Sequence, residues 1–386
     1  MAEIEHFIHP DKKFHPKFST VENLVVNLYS SKNQLENLDP IEICLCDAVQ
    51  QQVIANNVLA YYIGRTLLFM IKIGIDTSRV RFRQHLPKEK AHYACDCWDC
   101  EIHSYHGWVE CVGIADRTCF DLAQHEQHSG QNMKFSEHLT TPIKTIVPNV
   151  VLNKSIIGKE FRSDAKDLLA LLSNLSVEQA LTLKKDLKHG VHCVELEGKN
   201  FTVTKEMVTS VDIEEKDVYV QEYYPHVVEP SFGIGRILYS LLSHTCMYRE
   251  QDEQRIWFKF GIGIAPIKCL ILPLSHKSEF QPVIQKIVEH LSMHTISYRV
   301  DDMNTSIGRR YARGDELGIP FAITVDFDTL NNKPETVTLR ERNSTAQIRI
   351  EISDIGEILE DLMREKIDWV SLVKKYGMYE GQTSIS

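Results

Sequence analysis

The chain has 386 residues, with 53 acidic against 43 basic side chains and a formal net charge of −10. That length supports two or three domains with real cores, and 43% hydrophobic with 25% charged residues is an ordinary soluble composition. The charge excludes a protein that coats nucleic acid over its whole surface but permits a local basic face, and no apolar run is long enough to cross a membrane. The acidic opening Met1-Ala2-Glu3-Ile4-Glu5-His6 has neither the basic and apolar parts of a signal peptide nor the arginines of a mitochondrial presequence. Ten cysteines without the regular framework of a small secreted fold point to free thiols in a reducing cytosol, so a cytoplasmic protein is expected.

In chain order, residues 1 to about 125 read as α/β. Asp47 to Ile73 is a helix candidate interrupted at Gly64, and Val80–Phe82 and Trp108–Val112 are strand candidates. From about 126 to 215 the character changes. A polar, histidine-rich stretch from His125 to Gln131 precedes a lysine-rich helical region from Lys159 to Lys188 and a strand at Phe201–Thr204, which together read as an insertion. After β-prone Val218-Tyr219-Val220 comes a strand-to-helix junction, with Ile234, Ile237, Leu238, Leu241 and Leu242 forming a helical stripe. A boundary falls near Phe260 to Pro266. Beyond it, strands at Cys269–Leu274, Ser297–Val300 and Phe321–Val325 alternate with helices at Phe280–Leu291 and Ile307–Leu317. Thr336–Arg340 and Gln347–Ile350 pair as a hairpin around Asn343, and Ile355–Met363 closes as a helix. The expected division is 1–260 with an insertion at about 126–215, then a compact α/β domain over 261–386.

Four strings carry chemistry. Glu229-Pro230-Ser231-Phe232-Gly233-Ile234-Gly235-Arg236 packs a carboxylate, a hydroxyl, two glycines and an arginine into the strand-to-helix junction. Glu229 and Ser231 are two apart and share a strand face, which suits a small ammonium group. The glycines allow a close backbone approach, and Arg236 sits on the first helical turn, where a guanidinium can grip phosphate. In Trp108 to Arg117, Glu110 could offer an oxygen to Mg²⁺, and Arg117 could face ATP phosphates. A bare Gly-x-Gly-Arg turn, or an exposed glutamate beside an Asp116–Arg117 pair, would by itself be ordinary surface. In Met1-Ala2-Glu3-Ile4-Glu5-His6-Phe7, Glu3 and Glu5 alternate. In Ser306 to Glu316, Arg309, Arg310 and Arg313 stand three and four apart, either as a nucleic-acid face or as a solvated face tethered by Asp315 and Glu316. Cys95, Cys97 and Cys100, with His92 or His103, invite a zinc reading. Their Cys-x-Cys-x-x-Cys spacing departs from paired Cys-x₂-Cys, and free thiols in a packed segment are the expectation.

The eight-residue string resembles motif 3 of class II aminoacyl-tRNA synthetases, in the form found in eukaryotic-type glycyl-tRNA synthetases. The Trp108–Arg117 string resembles that family's ATP-binding segment, with Cys111 beside Glu110. Arg83-Gln84-His85 and His92 to Asp99 also match, and Met1 to Phe7 resembles the strand that follows motif 2. Ser306–Glu316, with Phe321–Asp326, resembles the anticodon-binding domain of several class II enzymes. The resemblance runs from Met1 to about Gly381 and is weaker over the insertion. It implies an α+β fold: an antiparallel class II sheet flanked by helices and incomplete, then an anticodon-binding domain with a mixed sheet. It implies ATP and Mg²⁺ as cofactors, glycine and the glycine tRNA as partners, and a homodimer in the complete protein. Carried over by position, Glu3, Glu229, Ser231 and Gly233 bind glycine. Glu110, Cys111, Arg117 and Arg236 bind ATP, with Arg236, Glu110 and Arg117 catalytic and Glu110 on the metal. Arg309, Arg310 and Arg313 meet tRNA. Motif 1 and the α-phosphate arginine of motif 2 are missing from the resemblance, so the expected chain is part of a glycine–tRNA ligase. The alternative is a non-catalytic tRNA-binding or scaffold paralogue.

Overall fold

The computed structural model describes residues 1–196, 199–249, 252–331 and 333–380. Gly381, where the resemblance ends, lies outside them. Backbone contacts divide the chain into one unit of Met1–Asp121 with His226–Ser386 and a second of Leu122–Pro225, which contains the stretch expected as an insertion.

The first unit is built on two large sheets, with Cys246–Arg249 and Asp252–Phe258 paired antiparallel as a third, two-stranded one. The larger runs in the order Ala2–Glu3, His226–Phe232, Gly107–Thr118, Asp96–Ser104, Val80–Gln84, Val25–Tyr29, Ile41–Cys44, with His6–Ile8 also pairing the His226–Phe232 strand. Neighbours are antiparallel except Val25–Tyr29 with Val80–Gln84. Alternation sorts the side chains. Leu28, Phe82, Cys100, Val112, Ile114 and Val228 join a core with Leu59, Ile63 and Met70 of the Asn57–Ile73 helix and Ile237 and Leu241 of the Ile234–Thr245 helix. The other face keeps the polar positions.

Three features differ from expectation. The Asp47–Ile73 segment breaks at Gln51–Asn56 and not at Gly64. Gln52 adopts φ 57°, and Asn56 caps a new helix by accepting from Leu59 N. Gly64 lies inside that helix because an added Cβ would sit 2.7 Å from Val21 Cβ and 2.8 Å from Leu45 Cδ1. The lysine-rich stretch is three helices, Lys154–Phe161, Ala165–Ser173 and Val177–Lys188. Ile234, Leu238 and Leu242 are exposed, so the buried stripe of their helix is narrower than the apolar pattern suggested.

The second sheet runs Tyr298–Val300, Cys269–Pro273, Phe321–Val325, Thr336–Glu341, Gln347–Glu351, with the first two pairings parallel and the last two antiparallel. The helices Gln281–Met293, Ile355–Met363 and Trp369–Tyr376 supply apolar residues to its core. The fold is thus α+β, an antiparallel main sheet followed by a mixed one.

The second unit pairs the long strands Phe135–Leu152 and Val208–Tyr223 antiparallel and packs the three helices against Val150, Val208 and Val211 with the Val191–Leu196/Lys199–Thr204 hairpin.

Candidate active site

The polar face of the main sheet gathers the first three strings. Glu3 lies opposite Ser231, and Ser231 lies opposite Gly113, so three strands place these positions on one line across the face. Ser231 Oγ stands 3.0 Å from Glu3 Oε1 and 3.4 Å from Glu229 Oε1. Glu229 is opposite Ala115. Gly113 and Ala115 therefore leave the floor beside the two carboxylates nearly bare of side chain. The two glutamates converge on one hydroxyl, and like charges so placed favour a cation between them.

Arg117 belongs to this cluster rather than standing free. Its Nε meets Asp121 Oδ2 at 2.7 Å and Glu229 Oε2 at 3.4 Å, NH2 donates to Tyr93 Oη at 3.3 Å, and the guanidinium lies 5.4 Å from the Tyr93 ring centroid. The guanidinium steadies the inner glutamate, which is only 18% exposed at its side chain. Asp121 was missed in the sequence, although its place four residues after Arg117 was a usable signal.

The junction after Ser231 is fixed by backbone. Gly233 N donates to Cys111 O at 2.8 Å, and a Cβ on Gly233 would lie 3.2 Å from that oxygen. Glycine allows this close approach of the two backbones, since a Cβ would crowd the Cys111 carbonyl. Gly233 then opens the Ile234–Thr245 helix with no side-chain cap. From its first turn Arg236 reaches back, NH1 donating to Glu110 O at 2.9 Å and lying 3.5 Å from Glu110 Oε1. Both side chains are more than half exposed, 58% and 54%. The pair forms an open cation–carboxylate edge beside the acidic seat, whose Glu3 is exposed and whose Glu229 and Ser231 are half-buried, with free oxygen capacity on Glu110. Cys111 turns inward, its thiol 3.7 Å from Ser240 Oγ, and burial pushes that thiol up. Cys111 touches the site through its backbone. Glu5 is exposed.

A supporting network continues from Gly113 to Asp99, opposite it on the next strand. Asp99 bonds His85 Nε2 at 2.9 Å and Arg83 NH2 at 3.2 Å. Arg83 also meets Glu101 and Glu89. The hydrogen bond that His85 donates to Asp99 raises His85, and the Arg83 pairing holds Glu89 down to about 2. Cys97 and Cys100 are both buried on this strand, three apart and so on opposite faces, and Cys95 is exposed. Among the described residues they do not form a ligand cluster.

The arginine string divides. Arg309 is exposed. Arg310 is only 3% exposed, bonded to Pro273 O at 2.8 Å and to Asp301 O. Arg313 is half-buried, NH1 lying 3.4 Å from Asp301 Oδ2. The tether is Asp301, not Asp315 or Glu316. Asp315 instead takes Arg340 in two hydrogen bonds of 2.9 and 3.0 Å and Arg249 at 2.9 Å, beside Tyr311 and Trp257. No sequence spacing links Arg249, Asp315 and Arg340, and this knot was missed.

Residues 268–362 match a family model described as "Anticodon binding domain". That match assigns the class of the C-terminal domain. Three curated proteins then bear on the whole chain. The glycine--tRNA ligase of Drosophila melanogaster is 43% identical over 384 residues, covering 99% of this chain and 50% of that protein. That of Caenorhabditis elegans is 42% identical, covering 100% and 52%, and that of Methanocaldococcus jannaschii 40%, covering 94% and 63%. Over nearly its whole length the chain is a homologue of glycine--tRNA ligases, and it spans about half the length of the curated relatives it matches. A solved prolyl-tRNA synthetase from Cryptosporidium parvum aligns over 84% of this chain and 50% of that one, at 10% identity and a TM-score of 0.43, a likeness too loose to carry weight.

Proposed function

We propose that this chain supplies the glycine seat, one edge of the ATP site and the tRNA-reading domain of a glycine–tRNA ligase. The observation that carries the reading is the convergence of Glu3, Glu229 and Ser231 on one small space floored by Gly113 and Ala115. Glycine places its ammonium between the two carboxylates and the hydroxyl. Rejection of alanine then rests on steric exclusion of one methyl group from a small space. The glycine carboxylate attacks the α-phosphorus of ATP, pyrophosphate leaves, and the glycyl-adenylate then passes its acyl group to the 3′ end of the glycine tRNA with release of AMP.

The residues of this chain contribute position and charge. Arg117, fixed by Asp121, keeps the Glu229 carboxylate aimed at the seat. Arg236, held by the Glu110 carbonyl, offers its exposed guanidinium to phosphate. The exposed Glu110 carboxylate fits one oxygen ligand of a Mg²⁺ ion, which when bound would neutralise phosphate charge. Cys111 O fixes Gly233 and with it the uncapped helix start. Arg309 and Arg313 are the members of the arginine string with surface to give to RNA. The family resemblance is the support for a homodimer, and ten unpaired thiols support a cytoplasmic setting. Among the described residues no helix is long and apolar enough to cross a membrane.

The test is charging of the glycine tRNA by the natural polypeptide with labelled glycine and ATP. Glycyl-tRNA, AMP and pyrophosphate in equal amounts are expected, with alanine inert. Binding of the tRNA without any adenylate formation would sink the reading.

A further inference from the structure

Away from the sheet face just described, the Ile41–Cys44 strand turns into the short helix Leu45–Gln50, and three ligand-bearing side chains meet at the corner. Cys44 ends the strand and caps the helix. Cys46 and Asp47 follow on its first turn. Cys44 Sγ lies 3.2 Å from Cys46 Sγ, and Cys46 Sγ lies 3.7 Å from Asp47 Oδ1. Two sulphurs and a carboxylate oxygen all lie within 4.8 Å of one another, the one such cluster among the described residues.

The corner is held from below. Leu45 N donates to Leu24 O at 3.0 Å and Cys46 N to Glu22 O at 2.9 Å. Leu45 and Ala48 are fully buried between the ligand positions and the core. The Cys44 thiol donates to Glu22 O at 2.9 Å, which sets its direction. The backbone that carries all three groups is therefore fixed before any ligand arrives, while the groups themselves reach solvent: Asp47 is exposed and both cysteines are half-buried. An ion could enter without rearrangement of the core.

We propose that Cys44, Cys46 and Asp47 form a binding site for one thiophilic divalent cation of the zinc type, with solvent in the fourth position. The donor set decides the class. Sulphur ligands disfavour Mg²⁺ and Ca²⁺, which take six or more oxygens, and suit a tetrahedral d¹⁰ ion. Bonds of about 2.3 Å to each sulphur place two thiolates of a tetrahedral site about 3.8 Å apart. The present separation of 3.2 Å reaches that by a small side-chain rotation. The carboxylate adds an oxygen ligand on the same side. The ion would tie the end of the strand at the edge of the sheet to the first turn of the helix.

The pair does not suit nucleophilic redox chemistry. The Cys46 thiol is pushed up to about 11, first by its hydrogen bond with Cys44, so it rests protonated at neutral pH. Cysteine binds a cation as thiolate, so uptake releases protons. The site shares no residue with the glycine seat, so it stands or falls apart from the ligase reading.

The test is metal uptake by the full chain, kept reduced with a phosphine. Titration with Cd²⁺, read by thiolate-to-cadmium absorption, and equilibrium dialysis against Zn²⁺ should each show one site per chain that vanishes in the Cys44→Ser/Cys46→Ser variant. Asp47→Asn should keep the stoichiometry and weaken binding by at least the roughly tenfold that loss of a supporting group costs. X-ray absorption at the zinc edge of the unaltered protein, which needs no variant to fold, should show two sulphurs at about 2.3 Å and the remaining neighbours oxygen. Uptake unchanged in the double variant, no uptake by the reduced protein, a four-sulphur shell, or isolation of the pair as a disulfide that returns to a metal-free dithiol would each overturn the proposal.

Discussion

The glycine seat and the arginine helix were both read from spacing, yet the fold treats them differently. Glu229 and Ser231 share a strand face, and that relation survives folding because the register with Glu3 and Gly113 can only bring more side chains to the same face. Arg309, Arg310 and Arg313 share a helix by spacing, but a helix face is solvent or core depending on what packs against it. Asp301, at the end of a strand eight residues before Arg309, takes Arg310 inside and leaves Arg309 outside. Period-two patterns on paired strands transmit function directly, whereas helical charge clusters need their tertiary partner before any role can be assigned.

The contrast is broken most strongly at Arg310. Arg310→Ala takes from the buried Asp301 carboxylate its one buried cationic neighbour, leaving the half-buried Arg313 at 3.4 Å and Met303 N at 3.0 Å, and stability should fall by about 3 kcal/mol, since losing one partner of a buried ion pair is costly. A urea melt measures it. An unchanged midpoint would put Arg310 back on the surface. At the seat, Arg236→Ala should leave the melt unaltered, because the side chain is more than half exposed. The same change should lower the rate of glycine-dependent pyrophosphate exchange by about 10²–10³, the usual cost of one charge-stabilising donor. A KM effect alone would demote Arg236 to ground-state binding.

Arg309→Ala sharpens the comparison from the other side. It should change stability by less than about 0.5 kcal/mol. It should weaken binding of the glycine tRNA and reduce the salt slope of that binding by about 1. Filter binding at several salt concentrations decides it, and an unaltered slope would remove Arg309 from the interface.

The smallest effect is in pH. Burial lowers His6, His15, His226 and His244, and His6 Nδ1 and His226 Nδ1 have no partner. His15 also stacks on Tyr61 at 3.5 Å. These rings are neutral in the folded chain and charge more readily when unfolded, so stability is present above their ordinary value and falls as pH drops through it. His85, raised by Asp99, acts in the opposite sense, its contribution fading as pH rises. Four against one predicts a lower urea midpoint at pH about 5.5 than at about 7.5. A His6→Asn/His15→Asn variant should flatten the difference. A midpoint that rises on acidification would show His85 dominating.

Several strands around the site were legible one by one, because Val80–Phe82, Trp108–Val112 and the Glu229 string carry alternation or turn chemistry in their own residues, but their order in the sheet was not. The break before Asn56 was not, since Gly64 looked like the interruption while its real task is to let Val21 and Leu45 approach the helix. Within the site, Glu3, Glu229 and Ser231 could be placed by motif. The bridge from Arg117 to Glu229 could not, because the two residues are 112 positions apart and meet only through strand pairing. The same holds for Asp99 behind Gly113 and for Asp315 between Arg249 and Arg340. Contacts that close over long sequence separations leave no local trace.

The seat is doubly acidic, and the proposed function requires it to hold an ammonium. Glu229→Gln keeps the shape and hydrogen-bonding reach of the side chain while removing its charge. Glycine-dependent ATP–pyrophosphate exchange by the natural polypeptide carrying this change measures the claim directly. A loss of at least about 10² in kcat/KM is expected, on the scale of one lost charge-assisted contact, with an unchanged melt. Exchange undiminished in Glu229→Gln would contradict it.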